Sequence, residues 1–345
     1  MNSETAGAGA DASSGKPPTI YDVARVAGVS HQTVSRLLKG DTGIKPRNRE
    51  RVLQALEQLN YRPNLSARSL ATSRSHRVAV LTQEISQVGP GKIAQGAAEE
   101  ARKHGFVLDI ITLDVGDRAG IENAIKVVNH QDAAGILALA STDELIDMFE
   151  HADFGVPTVL GAEEDEAAGG RPSEMSAHGI EELVEHLVGL GHRRIFHIAG
   201  PRAWVAARNR EFAIGRALRE RNLSLQGTAY GDWSAESGYR AAQRIVNDLD
   251  ATAIVAANDQ MALGAMLALT EAGLAVPRDV SVTGIDDIPE AAYLMPPLTT
   301  LRLNFEEQGR DAFRRLMAQM REDVPPAPRV SAELVIRKST APAAR

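Results

Sequence analysis

The chain has 345 residues, 43% hydrophobic and 24% charged, with a net charge of −7 and no cysteine. That length exceeds one ordinary core and implies two or three domains. The missing cysteines exclude disulfides and thiolate metal sites and fit a reducing compartment, and no apolar run approaches the roughly 18 residues a membrane span needs. The charge is uneven: Met1–Arg77 carries 12 Lys and Arg against 6 Asp and Glu, the remainder 26 against 39. A basic head on an acidic body points to a polyanion met by the head alone, with a merely solvated basic face as the alternative.

Residues 1–17 have neither the basic start nor the apolar core of a signal peptide and read as a disordered Ala/Gly/Ser tail, so the chain is expected in the cytoplasm. From Thr19, a plausible N-cap, Ile20, Val23, Ala24 and Ala27 recur at helical spacing. Gly28 supplies a tight turn. Ser30 caps a second helix that turns Val34, Leu37 and Leu38 inward and leaves His31, Gln32, Ser35 and Arg36 outward. Pro46 precedes a third helix, Asn48–Leu59, with Val52, Leu53, Leu56 and Leu59 on its buried side. Three short helices on one small core make a helix-turn-helix module over residues 18–63. Residues 64–76 are a linker, helical in period but too short and polar to be stable alone.

Beyond Val78 apolar strands alternate with helices. RVAVLT, FVLDIITL, GILALA and PTVLGA are separated by helices over 93–104, 121–129 and 143–151. RIFHIAG, TAYGDW, AIVAAN and VSVTGID come with helices over 180–190, 207–221, 235–249 and 261–272. The pattern predicts an all-α helix-turn-helix head followed by an α/β body of two doubly wound parallel-sheet subdomains, similar in size and covered on both faces, with a cleft between them. Ligands bind beyond the carboxyl ends of such strands, which here carry Gln83 and Glu84, Ala140 and Ser141, Asn258 and Asp259, and Asp286 and Asp287. The nine histidines show no metal spacing, and no H-E-x-x-H, G-x-S-x-G or P-loop appears. VGPG at Val88–Gly91 reads as a loop. No catalysis, metal or cofactor is expected.

The segments TIYDVARVAGVSHQTVSRLLKG, LNYRPNLSARSLATSRSHRVAVL, EHLVGLGHRRIFHIAGP, GDWSAESGY, ANDQMALGAMLALTEAGLAVPRDVSVTGIDD and PPLTTLRLNFEEQG carry a likeness. Over Pro18–Thr340 the chain resembles the LacI family of bacterial transcription regulators. The resemblance implies a repressor whose second helix enters the major groove, where His31, Gln32 and Arg36 read base edges. Tyr21, Ser30, Thr33 and Ser35 join the DNA-contact set, the hydroxyls as caps or phosphate contacts. In the hinge, Asn64, Ala67, Arg68 and Leu70 belong to the same set, with Leu70 as a wedge between base pairs in the minor groove. Paired hinges imply a homodimer on a pseudo-palindromic operator, at the nucleoid when bound. No heptad leucine tail follows AELVIRKSTAPAAR, so a dimer is expected rather than a tetramer.

The resemblance extends to periplasmic sugar-binding proteins, with the sensor over 77–345: one subdomain about 77–173 and 305–331, the other about 174–304 and 332–340. Arg210, Asn258 and Asp286 match the family's polar ligand contacts, Trp233 and Phe305 its aromatic ones. Gln83, Glu84, Ile93 and Trp204 complete the expected effector set. By residue type alone, Asp286 could as well cap a helix, Trp233 fill a core and Arg210 sit on a surface. Ala162 stands where a well-known member has an acidic contact, Ala206 and Trp204 where it has serines, and Glu174 where it has a phenylalanine. The implied effector is a small carbohydrate without carried-over galactoside specificity; a disaccharide or aryl glycoside stacked on Trp204 and Trp233 is a refinement. A purine or nucleoside co-repressor is the alternative. A secreted binding protein lacks a reason to carry VSHQTVSR.

Overall fold

The computed structural model describes residues 18–38, 41, 43–61, 75–114, 116–130, 132–170, 174–246, 250–320 and 332–343. It divides into two compact units, Met1–Arg74 and Ser75–Arg345. The expected hinge contacts Asn64, Ala67, Arg68 and Leu70 lie outside the described residues, as does the side chain of Glu174.

The first unit holds α1 (Ile20–Ala27), α2 (His31–Leu38) and α3 (Pro46–Gln58). Thr19 and Asp22 close a capping box at the start of α1, and Gly28 leaves it at φ 60°, a left-handed conformation that favours glycine. Pro46 occupies the first turn of α3, where its missing N–H costs nothing. Val23, Ala24, Ala27, Val34, Val52 and Ala55 form the core, with Leu37, Leu38 and Leu56 packed against it. Leu53, expected inside, is 50% exposed. The helical register gives its place to Ala55, one turn on from Val52 and facing α1.

In the second unit β1 (Arg77–Gln83), α4 (Val88–Lys103), β2 (Val107–Leu113), α5 (Arg118–His130), β3 (Gly135–Leu139), α6 (Asp143–Glu150) and β4 (Thr158–Gly161) build a parallel sheet in the order β2-β1-β3-β4. The second sheet runs β10-β9-β8-β7-β5-β6. Its members are β5 (Ile195–Ala199), β6 (Leu225–Tyr230), β7 (Ala253–Ala256), β8 (Ser281–Asp286), β9 (Thr299–Arg302) and β10 (Glu333–Val335), of which only β10 is antiparallel to its neighbour. Helices α7 (Glu174–Gly189), α8 (Val205–Arg219), α9 (Ala235–Ile245) and α10 (Asp259–Glu271) accompany it. The sheets are therefore unequal, with four and six described strands.

Central strands are buried on both faces, as their continuous apolar runs require, but β2 is an edge strand with Val107 and Ile110 half-exposed. After β9 the chain returns to the first sheet as α11 (Phe305–Gln319), whose Ala312, Phe313, Leu316 and Met317 pack on Val78, Val80, Leu137 and Val159. Helices α4 and α11 touch backbone to backbone: a Cβ on Gly309 would collide with the Ile93 carbonyl, and one on Gly96 with the Glu306 carbonyl. The expected loop at VGPG is instead the first turn of α4. Proline is tolerated there because the first-turn N–H groups have no partner inside the helix. Among the described residues no helix is long and apolar enough to cross a membrane.

Candidate functional site

In the head, Thr33 N–H donates to Ser30 Oγ at 3.3 Å, so Ser30 caps α2 as its sequence position suggests. His31 and Gln32 open that helix and are exposed, as is Arg36 one turn on; Thr33 and Ser35 are half-buried beside Val34. The Tyr21 ring, 63% exposed, stands 5.1 Å from the His31 ring. Arg36 Nε donates to Asp41 Oδ2 at 2.7 Å. Both side chains are solvent-accessible, and water screens such an exposed pair, so a base edge or phosphate can draw Arg36 away at small cost. The arrangement offers an exposed polar face on a short capped helix that packs on the head's core through Val34.

In the second unit a cavity of about 290 Å³ opens between the carboxyl ends of the two sheets. Arg210, Trp204, Trp233, Asn258, Asp286, Phe305 and Ile93 all line it. Arg210 reaches in from α8; its guanidinium donates to the Ala257 carbonyl and, at 3.3 Å, to Asp286 Oδ1. Their side chains are 11% and 7% exposed. Burial pushes the Asp286 carboxyl up to about 6, with Arg210 pulling it back. The guanidinium carbon also lies 5.3 Å from the Trp233 ring centroid. Trp233 sits at φ 72° between β6 and α9, and its buried indole N–H has no partner among the described residues.

Asp286 does not cap a helix. It and Asp287 occupy left-handed conformations, φ 112° and 52°. Asp259 holds the turn that follows: Ile288 N–H donates to its Oδ2 at 2.8 Å and Thr300 to its Oδ1 at 2.5 Å. Burial, reinforced by Asp286, pushes Asp259 up to about 8. Asp287 turns away from the cavity to accept from Arg302 and Arg337, each at 2.7 Å. Asn258 lines the cavity while capping α10, its Oδ1 accepting from Met261 N–H at 2.8 Å.

Gln83 and Glu84 do not line the cavity. Side chains alternate along a strand, so Thr82 faces the cleft and Gln83 is buried on the other side. Glu84 is exposed at φ 44°, with Asp232 among the charges acting on it. Ala162 and Ala206 do line the cavity, as do Val88 and Gly89 in the first turn of α4, Gln308 and Asp311 on α11, and Glu163. Glu163 was missed because the acidic position was sought at Ala162, one residue earlier. Trp204 and Trp233 stand edge to face, 5.6 Å apart at 71°.

Along one side of the cleft the two sheets are bridged. Val205 N–H donates to the Ser141 carbonyl at 3.0 Å, Thr142 pairs with Trp204 as an isolated β-bridge, and Arg208 joins Asp143 and Asp165, each at 2.8 Å.

A helix-turn-helix unit and a two-sheet unit with a polar, aromatic-lined cleft define a ligand-responsive DNA-binding regulator. Residues 19–64 match the description "Bacterial regulatory proteins, lacI family", and residues 184–340 match "Periplasmic binding protein-like domain". The chain is 35% identical over 307 residues to the lactose operon repressor of Escherichia coli (strain K12), covering 88% of this chain and 84% of that one. It is 32% identical over 343 residues to the HTH-type transcriptional regulator CelR of Thermobifida fusca, covering 93% and 98%. The HTH-type transcriptional repressor PurR of Vibrio vulnificus (strain CMCP6) matches at 30% over 313 residues, 88% and 92%. Among solved structures, the Lac repressor bound to ONPG in its repressed state superposes with a TM-score of 0.82 at 33% identity, over 94% of this chain and all of that one. A complex of the regulator CelR with cellobiose gives 0.67 at 28%, over 93% and 99%. The chain belongs to the lacI family of bacterial regulatory proteins and is a DNA-binding transcriptional regulator.

Proposed function

We propose that this protein is a cytoplasmic repressor that binds a pseudo-palindromic operator as a homodimer and releases it when a small saccharide fills the cleft. One observation carries the effector class: the Arg210–Asp286 pair opens on a cavity walled by Trp233 and Phe305. Arg210 supplies donors and Asp286 supplies an acceptor, while the aromatic faces suit the apolar side of a sugar ring. The lactose repressor and the CelR–cellobiose complex lend support. A purine would call for a slot between parallel rings, and the edge-to-face tryptophans leave none between them.

The bridges at Ser141–Val205 and Asp143–Arg208 tie one sheet to the other, so a ligand gripping both sides of the cleft biases their relative position. A coupling of about 1–3 kcal/mol is enough for a useful switch. The test is a thermal-denaturation screen against mono- and disaccharides, aryl glycosides and nucleosides. A saccharide that raises the melting temperature and weakens operator binding supports the reading; stabilisation by nucleosides alone replaces it with the purine reading.

In the head, His31→Ala and Gln32→Ala are each expected to weaken binding to the preferred operator by about 1–3 kcal/mol and to relax the base preference there, measured by fluorescence anisotropy on operator variants. Equal losses on every sequence would make these residues phosphate contacts. Saccharide affinity should also depend on pH. Asp286 accepts hydroxyl donors best when ionised, so affinity is expected to fall as pH drops through about 6, in calorimetric titrations. Asp286→Asn should flatten that profile.

A further inference from the structure

We propose that Glu163 selects the effector: the cleft takes a neutral saccharide through a hydroxyl that donates to this carboxylate, and rejects the phosphate ester of the same sugar. The inference rests on the reading of the cleft as a saccharide site and adds to it a specificity residue and a charge class.

Glu163 stands two residues beyond Gly161, the end of β4, and lines the cavity. Its Oε2 accepts from Asn209 Nδ2 at 3.1 Å. Asn209, 1% exposed, also donates to the Glu164 carbonyl at 2.8 Å and accepts from Glu166 N–H at 3.0 Å. That amide is fully used in fixing the segment after β4, so the Glu163 carboxylate is held from behind. Its other oxygen has no hydrogen-bond partner among the described residues, which leaves an acceptor for a ligand. Burial pushes the Glu163 carboxyl up and Arg210 draws it back.

Arg210 is the next residue on α8, paired with Asp286 across the cavity. Adjacent side chains of one helix thus serve two carboxylates, one from the segment leaving the first sheet and one from the second. With both carboxylates ionised, Glu163, Arg210 and Asp286 sum to −1; Lys92, which also acts on Asp286, is itself paired with Glu306. Asp311 and Arg315, further along the cavity on α11, cancel each other. A hydroxyl can donate to either carboxylate and accept from Arg210. A phosphate ester is mostly dianionic at neutral pH and meets two carboxylates for one guanidinium, a repulsive device against the wrong ligand. Ala162, one residue earlier, carries no carboxylate to do this.

The experiment uses the full chain and calorimetric titration with cellobiose, lactose, maltose and the 6-phosphate of each. Wild type should bind at least one free disaccharide, and its 6-phosphate roughly a hundredfold more weakly. Glu163→Gln keeps the size and the acceptor for Asn209, so its fold should survive. It should bind the free sugar roughly tenfold more weakly and narrow the gap to the phosphate, with Glu163→Ala weaker again. If both variants bind the free sugar within about twofold of wild type, the inference falls while the saccharide reading stands. Preference of the wild type for a 6-phosphate overturns it directly. A wild-type chain that binds none of these sugars and is stabilised by no saccharide of the wider screen overturns both the inference and the reading beneath it.

Discussion

Replacing Arg210 with Ala is expected to lower saccharide affinity by at least about a hundredfold, because charge-assisted hydrogen bonds of about 1.5–3 kcal/mol each are lost from the centre of the cleft. The effect on stability is less obvious. Breaking a buried ion pair costs about 3–5 kcal/mol when the orphaned charge has nowhere to go. Asp286 has an escape, since burial already holds its carboxyl at about 6, and taking a proton near neutrality costs only about 1.4 kcal/mol per pH unit. The proton therefore limits the damage, and a loss of about 2 kcal/mol is expected near pH 7. The sign follows from linkage: Asp286 is raised in the fold, so its ionisation costs stability as pH climbs from its ordinary value of 3.8 through about 6. Removing Arg210 raises it further, so the variant should lose more at alkaline than at acidic pH. The double variant Arg210→Ala with Asp286→Asn should recover much of the stability and none of the binding. Thermal denaturation across pH and calorimetric titration check both halves; retained saccharide binding would put the effector elsewhere.

Gly309→Ala tests the crossing that carries α11 to the cleft. Helix propensity alone would make this change favourable by about 0.8–1 kcal/mol. Sterics oppose it, because the new Cβ collides with the Ile93 carbonyl, a backbone atom that no rotamer change can move aside. Overpacking costs about 1–3 kcal/mol, and more where backbone must shift, so a net loss of about 2 kcal/mol is expected. That corresponds to roughly 4–8 °C for a unit of this size. Phe305, Gln308 and Asp311 ride on the same helix into the cavity, so saccharide affinity should fall with it. Gly189→Ala is the control: at the exposed end of α7 nothing lies within 4 Å of its Cβ, and stability should hold or rise slightly. Equal behaviour of the two variants would mean that the α4–α11 approach is not tight.

How far the amino-acid sequence led can be traced residue by residue. Apolar runs located β1, β3, β5, β7 and β8, because buried central strands leave a continuous signal. The edge strand β2 was found as well, but TAYGDW meets β6 only over residues 228–230, where exposure weakens the pattern. Such runs did not locate the short β9 and β10, whose polar threonines and partial exposure break the pattern. Leu53 was placed inside by type, whereas helical register decides which of two neighbours faces the core. In the cleft, Arg210, Asn258, Asp286, Trp233 and Phe305 were found through resemblance and do converge on one cavity. Period-two alternation would have selected Thr82 over Gln83. The role of Asp259 was invisible, since three-dimensional proximity to Ile288 and Thr300 creates it. Glu163 was hidden by an offset of one residue, which only the path of the chain after β4 resolves.

The most direct measurement is fluorescence anisotropy of a labelled duplex recovered by the full chain from random DNA, titrated against the saccharide that most raises its melting temperature. Binding is expected to be at least about a thousandfold tighter than to a shuffled duplex. The saccharide should weaken this binding by about five- to 150-fold. Equal affinity for both duplexes, or a specific complex that no bound saccharide disturbs, would contradict the proposed function.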